Sequence, residues 1–146
     1  MCVVKKLLMF LFAALCLCGC VTKNAGEIAE KLQTFEKEQK IGQEMLDAFS
    51  KQDYEAFVKY IPAGGKQVWG KDKFNEEQRE VASRLGKIDS YRFLTQLELE
   101  PAHHLVWAVR FKSYNLKGEE IYKEALFSIV VGRVDETLKV FLFGFK

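Results

Sequence analysis

The sequence predicts an α+β fold in which three N-terminal helices pack on a curved four-stranded antiparallel sheet. Apolar residues recur at helical spacing up to Leu85, and after Gly86 the period changes from 3.6 to 2. Three clusters of turn residues then cut the second half into four alternating runs. Helices followed by strands in a chain of 146 residues make a single domain with its helices on one sheet face.

The first helix is expected from Glu27 to Ser50, with Asn24 and Glu27 as a reciprocal capping pair. Ile28, Leu32, Phe35, Met45, Leu46 and Phe49 keep its apolar spacing. Glu27–Lys31, Glu36–Lys40 and Asp47–Lys51 are acid-first i,i+4 pairs, the pattern of a solvated helix face. Asp53 caps a short second helix with Tyr54, Phe57, Val58 and Ile61 inward, and Pro62 ends it. Residues 62–72 read as a flexible connection. The third helix carries the capping pair Asn75 and Gln78, turns Phe74, Val81, Ala82 and Leu85 inward, and stops at Gly86, a left-handed C′ residue.

In the sheet, Tyr91, Phe93, Thr95, Leu97 and Leu99 form the core-facing set of the first strand. Pro101-Ala102-His103 turns the chain, and Leu105, Trp107, Val109 and Phe111 face the core from the second strand. Asn115 to Gly118 turns it again. Ala125, Phe127, Ile129 and Val131 continue the core face, Asp135-Glu136-Thr137 is the third turn, and Phe141, Phe143 and Phe145 complete the set. None of these is Asp, Glu, His, Lys or Arg, so the interior offers no acid or base, and the sequence argues against an enzyme.

The N-terminus has its own character. Lys5 and Lys6 precede eleven apolar residues, Leu7 to Leu17, enough helix for roughly half a bilayer core. Such a run suits a signal peptide. Leu17-Cys18-Gly19-Cys20 resembles the lipobox of bacterial lipoproteins, which implies removal of residues 1–19 and acylation of Cys20. Residues 20–26 are then a lipidated Cys with a short tether, and 27–146 is the domain. Without Lys5 and Lys6 the 22 basic residues fall to 20, equal to the 20 acidic ones, and this neutrality argues against a nucleic-acid partner. No Cys follows Cys20, so the domain has no disulfide or thiolate metal site. The resemblance implies a bacterial cell-envelope location, lipid-anchored and extracytoplasmic. Val21 after the Cys implies the outer membrane in a Gram-negative host.

The element order, with Asp53-Tyr54-Glu55-Ala56-Phe57, Leu85-Gly86 and the closing stretch from Val130 to Phe145, resembles the cone-shaped nuclear transport factor 2-like (cystatin-like) superfamily. It is similar to small bacterial lipoproteins of that superfamily with domains of unknown function. The resemblance covers residues 27–146 and implies no catalytic residue. Members that are enzymes, the SnoaL-like cyclases among them, place an acid or base inside the cone.

Other chemistry is sparse. His103 and His104 are adjacent and read as turn histidines, with no third ligand to complete a metal site. Ala63-Gly64-Gly65-Lys66 lacks the spacing of a phosphate loop. No catalytic residue, metal site or cofactor is assigned. Trp69, Tyr91, Trp107, Phe111 and Phe127 are the residues that would line a cavity if the cone holds a small apolar ligand. The opposite sheet face sets Leu126, Val130 and Leu142 beside Arg110 and Tyr122, the composition of a contact with a second copy or an envelope protein. The reading that follows is a membrane-anchored, non-catalytic binding or assembly module.

Overall fold

In the computed structural model the backbone is described for residues 3–146 and side chains from residue 25 onward. The side chains of the expected signal peptide, with the acylation site Cys20, therefore lie outside those described. The elements run α1 (Val3–Ser50), α2 (Tyr54–Phe57), α3 (Ala63–Val68), α4 (Lys71–Arg84), β1 (Lys87–Leu99), β2 (Ala102–Tyr114), β3 (Glu120–Val134) and β4 (Thr137–Phe145). The chain divides into two compact units, Met1–Lys37 and Glu38–Lys146. No helix among the described residues is long and apolar enough to cross a membrane.

Among the described residues there are four helices, not three. The additional one, α3, occupies the stretch expected to be a flexible connection. Its two glycines hide it from propensity. It forms because Lys66 N–H reaches Pro62 C=O and Trp69 N–H reaches Gly65 C=O, at 3.0 and 2.9 Å. The Trp69 ring that follows packs on Phe143 at 4.4 Å and on Phe57 at 6.4 Å between centroids. Gly65 is needed there, since a Cβ would meet the Ile61 side chain at 2.7 Å.

The capping pairs expected at Asn24–Glu27 and Asn75–Gln78 start no helix, since α1 runs from Val3 and α4 from Lys71 with Gly70 as its N-cap. Several other local signals act as expected. Asp53 Oδ1 accepts from Ala56 N–H at 3.1 Å and starts α2. Gly86 sits at φ 105° and its N–H closes α4 on Ala82 C=O. Asn115 Oδ1 accepts from Lys117 and Glu119 N–H, and Asp135 and Glu136, both at positive φ, make the two-residue β3–β4 turn.

The sheet is a meander, β1-β2-β3-β4, antiparallel throughout. Leu105, Trp107, Val109 and Phe111 of β2 and Phe127, Ile129 and Val131 of β3 join Met45, Leu46, Phe49, Phe57, Phe74 and Val81 in one core. Gly42 of α1 lies flat on Trp107, and a Cβ there would overlap the indole ring. The outer edge of β4 is covered where Val140 N–H donates to Tyr60 C=O at 3.0 Å.

Register corrects the alternation at three points. Ladder irregularities fall at Asp89 and Leu94 in β1 and at Phe141 in β4. Beyond Leu94 the phase of β1 shifts by one, so Gln96 stands opposite Leu105 and Glu98 opposite His103. Leu97 and Leu99, expected inside, are about half exposed on the other face. Phe141 is likewise turned outward, and Val140 takes the core position.

Candidate functional site

The shift at Leu94 has a chemical result. Gln96 and His103 now share the inner-face phase of Leu105 and Trp107. Glu38, on α1 one turn before Gly42, meets them there. Its side chain is 3% exposed, and both carboxylate oxygens lie 2.8–2.9 Å from His103 Nδ1. Gln96 Nε2 donates to Glu38 Oε2 at 3.3 Å. Facing a carboxylate, which only accepts, His103 donates this bond from Nδ1. The imidazole is one-third exposed.

This is a buried acid held by an oriented histidine, the arrangement that positions an imidazole as a base. The interior is therefore not free of ionisable groups, and His103 is not a turn residue, since β2 begins at Ala102. A signal for Glu38 did exist. Position 38 continues the buried stripe of Ile41, Met45 and Phe49, where a charge is out of place without a partner. Two polar atoms near this phase, Gln96 Oε1 and Trp107 Nε1, are buried with no hydrogen-bond partner among the described residues.

The residues expected to line a cavity sit as follows. Trp107, Phe111 and Phe127 are fully buried and meet other rings edge-on or tilted, as in Trp107–Phe93 at 5.3 Å and Phe127–Phe145 at 5.0 Å. Trp69 stacks on Phe143 at the edge of the core. Tyr91 donates its hydroxyl to Asp47 at 2.7 Å, and burial followed by that bond raises its pKa to about 12. A surface cleft of about 600 Å³ is lined by Gln52, Asp72, Asn75, Gln78, Arg79 and Ala82. A hollow of about 190 Å³ lies among Ser90, Tyr91, Arg92, Ala108, Arg110 and Glu124. Tyr91 borders the second; Trp69, Trp107, Phe111 and Phe127 border neither.

The outer sheet face brings the other expected group together. Cross-strand register aligns Leu97, His104, Val130 and Leu142 in one row, and Arg92, Ala108 and Leu126 in another. Leu126 is 42% and Leu142 66% exposed, and Phe141 adds a half-exposed ring lying over Gly132. One margin is charged and tied down. Arg110 stacks 3.9 Å over Tyr122 and lies 3.9 Å from Asp89, while Tyr122 donates to Glu120 at 2.8 Å. Glu120 also pairs with Lys112, and these two bonds hold its carboxyl below the usual range. Among the described residues no group of three or more His, Cys, Asp or Glu is placed to hold a metal ion.

No protein-family model matches the sequence, and no curated protein matches it. Solved structures do. Aln2 from a Streptomyces species is similar at a TM-score of 0.53 and 13% identity, over 78% of this chain and 90% of that one. A Campylobacter jejuni protein described as a candidate NTF2-like transpeptidase is similar at 0.46 and 12% identity, over 72% and 97%. AclR of Streptomyces galilaeus, described as a candidate hydroxylase, is similar at 0.46 and 11% identity, over 76% and 78%. At these identities the likeness is one of fold. The chain shares its α+β fold, with helices on a four-stranded antiparallel sheet, with Aln2.

Proposed function

We propose that the protein is a bacterial lipoprotein, acylated at Cys20 and held at the envelope membrane, whose domain binds a protein through the outer face of its sheet. One observation carries the binding reading: a band of exposed Leu126, Phe141 and Leu142 with half-buried Val130, bordered by the ordered Arg110–Tyr122 stack. A sheet face with an apolar centre and a polar margin has the anatomy of an interface. The rings on the inner face pack on one another, and exposed apolar side chains of the sheet are on its outer face. A photo-cross-linking amino acid placed at Leu126 or Leu142 in cells is expected to give a discrete protein adduct, and the same residue at Glu55 is expected to give none. Equal labelling at all three sites overturns the reading. Cys20→Ala is expected to abolish palmitate labelling and membrane partitioning.

The Glu38–His103 pair supports a second reading, an acid–base or ligand-binding site at the end of the cone. Native mass spectrometry of protein purified gently from cells tests it. A bound small molecule that is lost in His103→Ala, while the variant stays folded, favours this reading. A clean unliganded mass counts against it.

A further inference from the structure

Residues 25–33 of α1 are all exposed, and they include two large apolar side chains, Ile28 at 59% and Leu32 at 57%. Each was expected on the packed side of its helix, yet within the unit Met1–Lys37 neither is covered. Ala25, Ile28, Leu32 and half-buried Phe35 follow the 3-4-3 spacing of a and d positions in a heptad. In that register Lys31 is a g residue and Glu36 the following e residue. A parallel two-stranded pairing sets g of one chain beside that e of the other, so Lys31 meets Glu36 twice by symmetry. An antiparallel pairing sets g against g and loses the match. Lys31 now bonds Glu27 at 3.2 Å, but both side chains are about 70% exposed, and such a pair contributes too little to hold Lys31 back.

We propose that this segment is a self-association seam, which pairs in parallel with the same segment of a second copy of the chain. The inference rests on the anchor proposed at Cys20. Two heptads are too short to pair firmly alone, but copies anchored in one leaflet point the same way and meet at high effective concentration.

The test uses the full chain in its membrane, with single cysteines introduced by Ile28→Cys, Leu32→Cys and, at an f position, Glu30→Cys. Seam positions in a parallel pair come within disulfide reach and f positions do not, so oxidation is expected to link Ile28→Cys and Leu32→Cys about tenfold more than Glu30→Cys. Adding Lys31→Glu to Leu32→Cys is expected to lower the yield about fivefold, and Glu36→Lys on top to restore it. Equal linking at all three positions, or adducts only to other proteins, overturns the seam when the chain carries labelled palmitate. If the label is absent the anchor reading fails. The same cysteine comparison at high protein concentration in solution then decides the seam by itself.

Discussion

Trp107, Phe111, Phe127 and Phe145 meet ring against ring at one part of the sheet's inner face, whereas Glu38, Gln96 and His103 meet at its end through hydrogen bonds. Ring contacts between 5.0 and 6.2 Å are made at tilted and edge-on angles alike, so this part depends on volume. The polar end depends on register. Without the irregularity at Leu94, Gln96 would face outward and Glu38 would lose a partner. Volume can be conserved by many sequences, but a buried carboxylate needs its specific donors.

Breaking the aromatic part should cost most. Trp107→Ala is expected to destabilise the fold by about 3–5 kcal/mol in urea unfolding. Gly42→Ala pushes a methyl against the same indole and should cost about 1–3 kcal/mol. If Gly42→Ala is neutral, α1 can move off Trp107 and the fit is looser than the contact implies.

The polar end comes next. His103→Ala strands a buried acid beside one amide and should cost about 2 kcal/mol. Replacing the whole group, with Glu38→Met, Gln96→Leu and His103→Leu together, should recover most of that loss, because no polar atom is then left without a partner. A triple variant as unstable as His103→Ala would show that the cluster contributes more than satisfaction of its own groups.

A smaller effect lies at high pH. The Tyr91 hydroxyl ionises near 10 in the unfolded chain and near 12 when folded. Its contribution is complete below pH 10 and is lost as pH rises towards 12. Tyr91→Phe should flatten that alkaline decline in thermal unfolding while lowering stability at neutral pH. Smallest of all, Leu126→Arg should change stability by less than about 0.5 kcal/mol, since the side chain faces water, while abolishing cross-links from the outer face.

Turns were the most legible part of the sequence, with the caps at Asp53 and Gly86, because each acts within a few residues: those two, Asn115 and the Asp135–Glu136 pair do what their chemistry suggests. The capping pairs expected at Asn24–Glu27 and Asn75–Gln78, by contrast, lie inside helices. Strand order was legible for the same local reason. The polar end was not. Leu97 and Leu99 extend an unbroken alternation, and nothing in residues 91–99 marks Leu94 as the place where the phase slips. Glu38 lies hidden among Glu36, Lys37 and Lys40, so a solvated stripe is the natural reading until its helical position is compared with Ile41 and Met45. The interior acid was thus written on the helix, while the alternation argument looked only at strands. On the outer face, by contrast, Arg110, Tyr122, Leu126, Val130 and Leu142 fall together in register as their alternation implied.

The two borders of the sheet are closed in different ways, and this bears on crowding. Tyr60 occupies the rim of β4 with its carbonyl, while β1 breaks its own rim with irregularities at Asp89 and Leu94 and carries the charges of Arg92 and Glu98. An unbroken rim of thirteen residues would be a template for strands of neighbouring molecules. Interrupted in this way, the domain can be packed densely without its copies zipping edge to edge into fibrils, and contacts between molecules are left to side chains.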